Sequence, residues 1–186
     1  MIYPTKIEVN GKIYNIDTYY RTALACFKAI NDPDIKDTER ALAVVTLLLG
    51  KDVPLEDLQE ALEKCAIYLR CGRNENTEIK DIDMDYFQDE VAIRTSIRQC
   101  YHENLNQIEN LHWWEYNEMI EGLTDETLLS RIRDIRNYDL SKEKDFKIKQ
   151  KMQKAKDFYA LKKRETPLTD EQKKNIDDFM KKLEEV

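Results

Sequence analysis

Glycine and proline are scarce, four of each in 186 residues. A β-rich chain needs more turns than so few breakers supply, so the composition points to helices. Four glycines also cannot build a phosphate cradle of the usual type, and neither G-x-x-x-x-G-K-[ST] nor G-x-G-x-x-G occurs. The G-x-S-x-G elbow of serine hydrolases is missing too. No apolar run approaches the roughly 18–20 residues of a membrane span. The most apolar stretch, Ala41–Leu49, reads as a buried helix. Met1-Ile2-Tyr3-Pro4 has neither the basic head nor the apolar stretch of a signal peptide, so a cytosolic chain is expected. Cys26, Cys65, Cys71 and Cys100 show no C-x-x-C spacing and are expected as reduced thiols, mostly small core residues.

Histidine is scarcer still, with only His102 and His112. Glu109 and His112 have the E-x-x-H spacing of di-metal carboxylate bundles, but that architecture needs a second copy. Gln99 stands at the matching offset before His102. His112-x-x-Glu115 fails the same ligand count. His112 and its flanking acids are therefore expected on the wet side of a helix. Cys100 and His102 are neighbours, yet point about 200° apart on one helix and cannot form a nucleophile pair there. Paired acids carry no information among 37 Asp and Glu. No catalytic, metal-ligating or cofactor-binding residue is assigned, and no enzymatic activity is expected.

What is abundant is charge. Charged residues make up 36% of the chain and the net charge is −7. Residues 142–164 carry ten Lys or Arg against three acids, while 75–90 carry seven acids against Lys80. Such asymmetry fits an interaction tail or an internal match between two parts of one fold; the internal match is the plainer reading. Lys147, Lys151, Lys154 and Lys162, with Tyr159 among them, also have the make-up to follow a nucleic-acid backbone. The acidic total and the lack of an arginine-rich recognition helix argue against it.

Ile7–Ile16 reads as a β-hairpin around Asn10-Gly11. A two-residue turn would set Ile7 against Tyr14, and a three-residue loop, Val9-Asn10-Gly11, would set it against Ile13. The second matches apolar to apolar and is preferred. From Thr18 the pattern is helical. Thr18 is the expected cap of a helix with Tyr20, Ala23, Leu24, Phe27 and Ile30 inward, ending before Pro33. The next begins at Asp37 or Thr38 and stops at Gly50, with Val45 and Leu48 among apolar residues that run nearly all round it. Pro54 opens a third, with Leu58, Leu62, Cys65 and Leu69 as its stripe and Gly72 as its stop. Arg73–Ile82 lacks periodicity and reads as a loop. A fourth helix is predicted over Asp85–His102, with Tyr86, Ile93, Ile97 and Tyr101 inward.

Residues 111–123 hold both tryptophans side by side. Trp113, Tyr116, Ile120 and Leu123 share one face at steps of three and four, which marks core. Trp114 lies about 100° away and covers a second surface. Gly122 is placed to end this helix in the left-handed conformation. Thr124 should cap the next helix, with Leu128, Ile132 and Ile135 inward. Ser141 should cap a long basic helix to about Lys163, on which Ile148, Met152, Ala155 and Tyr159 form a narrow stripe. After Pro167, Thr169 and Gln172 make a capping box for a last helix bearing Ile176, Phe179, Met180 and Leu183. The fold class is thus mainly α, a multi-helix domain over 1–140 with an N-terminal hairpin at about 5–16. A C-terminal extension, 141–186, is either packed or projecting. Leu24, Phe27, Val45, Leu48, Leu62, Ile97, Trp113, Tyr116 and Ile120 are the candidate core. Trp114, Ile148, Met152, Tyr159, Phe179 and Leu183 are the candidates for protein interaction.

Several of these segments, in order, resemble the bacteriophage gene-product-fifteen family of tailed phages and prophages of Gram-positive bacteria. They are the Ile7–Ile16 hairpin leading into Thr18–Tyr20, the Leu-rich helix, the Pro54 turn and Tyr68-Leu69-Arg70-Cys71-Gly72. Leu111-His112-Trp113-Trp114, Glu121-Gly122-Leu123, Tyr138-Asp139-Leu140-Ser141 and Tyr159-Ala160-Leu161 follow. The Leu-His-Trp-Trp run with its Gly-Leu ending is the most specific, and the likeness reaches to about residue 163. The resemblance implies a non-enzymatic tail assembly chaperone. Its partners would be the tape measure protein and tail tube subunits, with self-association left open and no membrane partner. Its place would be the host bacterial cytoplasm, outside the mature virion. The alternative is a phage-encoded nucleic-acid-binding regulator using the lysine-rich helix 142–164.

Overall fold

Residues 2–73 and 82–162 are described by the structure, a computed structural model. The fold is mainly α, a two-stranded hairpin followed by helices. Strands β1 (Lys6–Val9) and β2 (Lys12–Asn15) pair antiparallel, with Ile7 opposite Tyr14 and Val9 opposite Lys12. The expected three-residue loop does not form. Asn10 and Gly11 take positive φ of 46° and 77°, the two-residue turn whose twist suits a hairpin. This register puts Val9, Tyr14 and Ile16 on the buried face and leaves Ile13 68% exposed. The Tyr14 ring, not Ile13, is the apolar partner of Ile7.

Helix α1 (Tyr20–Ile30) begins without the Thr18 cap. The Asp17 carboxylate accepts from the Tyr19 N–H and the Thr22 hydroxyl instead. The Thr18 carbonyl serves another end. It accepts from the Trp113 N–H at 2.8 Å, while Tyr20 N–H donates to the Leu111 carbonyl at 2.9 Å. The N-termini of α1 and α5 (Trp113–Glu121) therefore satisfy one another's orphan groups. Ile30, expected inward, is exposed. Helix α2 (Asp37–Leu49) packs on α1 and on α3 (Leu58–Leu69). It is not buried all round: Val44, Val45, Leu48 and Leu49 are covered, but Leu42 and Leu47 face outward. A 3-10 turn, Leu55–Asp57, follows Pro54 and leads into α3.

Helix α4 (Glu90–Tyr101) starts five residues later than the sequence predicts. Asp85 folds the preceding segment into a turn, accepting from the N–H groups of Phe87 and Gln88. Tyr101 ends the helix on the exposed side. Helix α6 (Leu128–Asn137) is capped by Thr127, not Thr124; the Thr127 hydroxyl accepts from Ser130 N–H and donates to the Thr124 carbonyl. Helix α7 (Phe146–Tyr159) is shorter than the sequence predicts. Ser141 is turned back onto Asp139, and Asp145 takes the cap, accepting from Lys147 and Ile148 N–H groups. Gly122 has φ of −83°, not a left-handed one. Its small size matters, since a Cβ there would meet the Tyr101 hydroxyl at 2.5 Å.

The core is an aromatic column flanked by aliphatic residues. Trp113 sits 5.8 Å from Tyr116, 5.6 Å from Phe27 and 5.4 Å from Tyr86, and Tyr116 stacks on Tyr20 at 4.7 Å. Val45, Leu48, Ile97, Ile120 and Leu129 are buried around it, and Leu24, Phe27 and Leu62 are half-buried at its edge. Such offset aromatic pairs add to the area they bury. Among the described residues no helix is long and apolar enough to cross a membrane. The predicted last helix, with Phe179 and Leu183, and most of the Arg73–Ile82 loop lie outside the described residues.

Candidate protein-interaction surface

Three helices meet around one arginine. Arg136, near the end of α6, places its guanidinium against Asp89, with Nη1 to Oδ2 at 2.7 Å and Nη2 to Oδ1 at 2.8 Å. Nη1 also donates to the Asp83 carbonyl and Nε to the Tyr159 carbonyl, each at 2.7 Å. The Asp89 side chain is buried and that of Arg136 is 11% exposed. The planar fork of arginine suits this task, since one side chain ties the entry of α4 to α6 and to the end of α7. Beside it, the Asp83 carboxylate accepts from Arg133 Nε and Asn137 Nδ2, both at 3.0 Å. Burial works against its ionisation, but those donors outweigh burial and hold its carboxyl below the usual range.

Asp83 and Asp89 of the acidic segment are thus answered by α6, while Glu90 pairs with Arg94 on its own helix. The expected match between the acids of 75–90 and the basic residues of 142–164 falls partly outside the described residues. Among the described residues, Lys147, Lys149, Lys151 and Lys154 form no ion pair, and Lys156 donates to the Tyr138 carbonyl. The two segments do touch, through backbone rather than charge. The Gln88 amide donates to the Lys162 carbonyl at 3.1 Å and accepts from its N–H at 2.9 Å.

Between α4, α6 and α7 lies an open groove of about 480 Å³, walled by Val91, Ala92, Leu128, Ile132, Phe158 and Tyr159. Val91 is 63% exposed and Phe158 80%. Exposed apolar side chains that converge on one concavity mark a binding surface more than scattered ones do.

The tryptophan pair has a different job. Trp113 Nε1 donates to the Leu69 carbonyl and Trp114 Nε1 to the Tyr68 carbonyl, each at 2.9 Å. Consecutive indoles therefore donate to consecutive carbonyls at the end of α3, where backbone donors run out; the Tyr68 carbonyl also accepts from the Cys71 N–H at 2.9 Å. Trp114 stacks on Tyr68, and His112 uses both ring nitrogens. Nδ1 accepts from Trp114 N–H and Nε2 donates to the Pro4 carbonyl. His112 is half-buried and stacked on Tyr3, not on the wet side. Burial pushes the thiols of Cys26 and Cys65 up to about 12 and that of Cys71 up to about 11, away from the thiolate form.

The Leu-His-Trp-Trp run is thus a structural hub joining α5 to the end of α3 and to the N-terminal segment. The family profile described as Bacteriophage Gp15 protein matches residues 2–161. The chain belongs to that family. It is a phage protein, and every described helix falls within the matched span. No curated protein and no solved structure matches the chain.

Within this phage protein the named interaction candidates divide. Trp114 is half-buried, its N–H is used, and its ring edge lines a shallow groove with Ile7, Ile16 and Ile67. Met152 and Tyr159 are half-buried on the side of α7 that meets α6, and Ile148 is 48% exposed. Phe158, Val91 and Arg136 carry no role in the sequence reading, and Leu128, expected inward, is exposed at the groove. Phe158 carries a signal all the same. It falls on the lysine line of α7, four residues after Lys154, where a solvated face has no use for a phenyl ring.

Proposed function

We propose that this phage protein is a non-enzymatic tail assembly chaperone. It binds the tape measure protein and tail tube subunits in the host cytoplasm and leaves before the virion is complete. The observation that carries this reading is the open groove between α4, α6 and α7, with Phe158 and Val91 projecting at its rim. A holder of helical clients needs such an apolar groove between helices. The family's membership in phages supplies the setting.

The test is co-production with the tape measure protein encoded by the same phage. The tape measure protein is expected to become soluble and to co-purify with the chain. A tape measure protein equally soluble without the chain, and never retained by it, would sink the proposal.

The second reading, a nucleic-acid-binding regulator, draws on the exposed lysines of α7. Retention on duplex DNA near physiological salt, at sub-micromolar affinity and lost on changing Lys147, Lys151 and Lys154 to Glu, would promote it.

A further inference from the structure

Lys147, Lys151, Lys154 and Phe158 follow one another at steps of four, three and four, so they form one line along α7. The line is about 17 Å long, at 1.5 Å per residue. All four side chains are exposed, and among the described residues no acid pairs with the three lysines. Phe158 closes the line at the rim of the groove whose other apolar walls include Val91, Leu128 and Ile132. A row of unanswered cations therefore runs directly into an unanswered apolar concavity. Asp89, which lines the groove, is held by Arg136; on α7 itself Asp145 accepts from backbone N–H groups and Asp157 from the Gln153 amide.

We infer that this surface receives an acidic amphipathic helix. Apolar side chains at successive turns enter the groove past Phe158, and Glu or Asp carboxylates on one flank lie along Lys147, Lys151 and Lys154. The inference rests on the chaperone reading only for the identity of the client. A helix fits better than a strand, because α7 offers side chains and no free backbone edge. Protein fits better than nucleic acid, because the lysine row runs into a concavity walled by Val91, Ala92, Leu128 and Ile132, where a phosphate chain has no apolar side chain to place. Lysine flanks beside an apolar groove also select the register and sign of a partner more than they add raw affinity.

The experiment uses the full chain and two probes. One is a synthetic helical peptide of about 20 residues, 30 Å long, with a leucine stripe and glutamates on one flank, and a control with glutamine in their place. The other is the co-produced tape measure protein. The glutamate peptide is expected to bind, to weaken on raising salt to about 0.5 M, and to lose about tenfold or more in affinity in K147E/K151E/K154E. The glutamine peptide should bind as weakly as the variant does. Phe158→Ala should weaken both peptides alike. All four positions are exposed, so circular dichroism of the variants should match the wild type. Peptide binding unchanged in the triple variant overturns the inference.

The two readings fail separately. If the tape measure protein is captured equally by K147E/K151E/K154E, the inference fails and the chaperone reading stands. If the peptide behaves as described while the tape measure protein is never captured, the chaperone reading fails and the surface stands. Three other occupants would overturn the inference. Duplex DNA bound more tightly than the peptide would assign the row to nucleic acid. A concentration-dependent dimer abolished by Phe158→Ala would assign it to a second copy. A gain in peptide affinity in Phe179→Glu/Leu183→Glu would assign it to the chain's own terminal segment.

Discussion

Arg136 grips both carboxylate oxygens of Asp89, 47 residues away in sequence, at 2.7 and 2.8 Å. Asp89 is buried and Arg136 largely so, and their remaining valences are met by the Asp83 and Tyr159 carbonyls and the Asp85 N–H. A buried pair so fully satisfied adds little over an apolar substitute, but breaking it is costly.

Arg136→Met should therefore destabilise the fold by about 3–5 kcal/mol, because Asp89 is left charged and unpaired. Adding Asp89→Leu to the same chain should recover part of that loss. Urea denaturation of both variants measures it. A double variant no more stable than Arg136→Met would show that the arginine acts through its carbonyl contacts alone.

The neighbouring Asp83 gives the junction an acid limit. Its folded carboxyl lies below its unfolded value of about 3.8–3.9. The sign follows: the stabilising contribution is complete above the unfolded value and is lost as pH falls through the folded one. Denaturation between pH 7 and pH 3 should show the wild type losing its advantage over Asp83→Asn at the acid end. A constant difference across that range would mean that the carboxylate charge contributes nothing.

Much of the fold was legible because helical stripes survive tertiary packing. The faces bearing Trp113, Tyr116 and Ile120, or Cys65 and Leu69, turned inward in the structure as their spacing required. Helix starts were harder. Thr18, Thr124 and Ser141 all lie close ahead of a helix, and none of them caps it. Short polar side chains bond to nearby backbone in more than one way, and Asp17, Thr127 and Asp145 won those contests. The junction at Arg136 was not legible at all. With 30 basic and 37 acidic residues, no local rule selects the pair of Arg136 and Asp89. The indole N–H bonds were equally hidden, since aromatic periodicity fixes a face and not the acceptor reached across it.

The thiols offer a direct check on packing. Cys26 and Cys65 are buried, and burial raises both thiols to about 12. Thiolate is the reactive form, so native protein treated with iodoacetamide at pH 8 should leave both unmodified. Half-buried Cys100 is expected to react first. Mass spectrometry of the native and urea-unfolded protein reads this out. Early modification of Cys26 or Cys65 would mean that α1 and α3 do not close over them.

Trp113 and Trp114 make the same kind of hydrogen bond from opposite situations. Trp113 is 1% exposed and central to the aromatic column, so Trp113→Ala should cost about 3–5 kcal/mol through the cavity it leaves. Trp114 covers Tyr68 from the rim, and Trp114→Ala should cost clearly less. Trp114→Phe isolates the polar part. It keeps a ring against Tyr68 but strips the Tyr68 carbonyl of its indole donor, for about 1 kcal/mol or somewhat more. Gly72 must respect the same ring. Its φ is +73°, and a Cβ there would lie 3.1 Å from Trp114 Cη2. Gly72→Ala is therefore unfavourable in backbone and in contact at once, by about 1–2 kcal/mol from the backbone alone. In Trp114→Ala the contact is gone and only the backbone term remains, so Gly72→Ala should cost less there than in the wild type. Equal costs in the two backgrounds, measured by denaturant midpoint, would show that the indole does not press on residue 72.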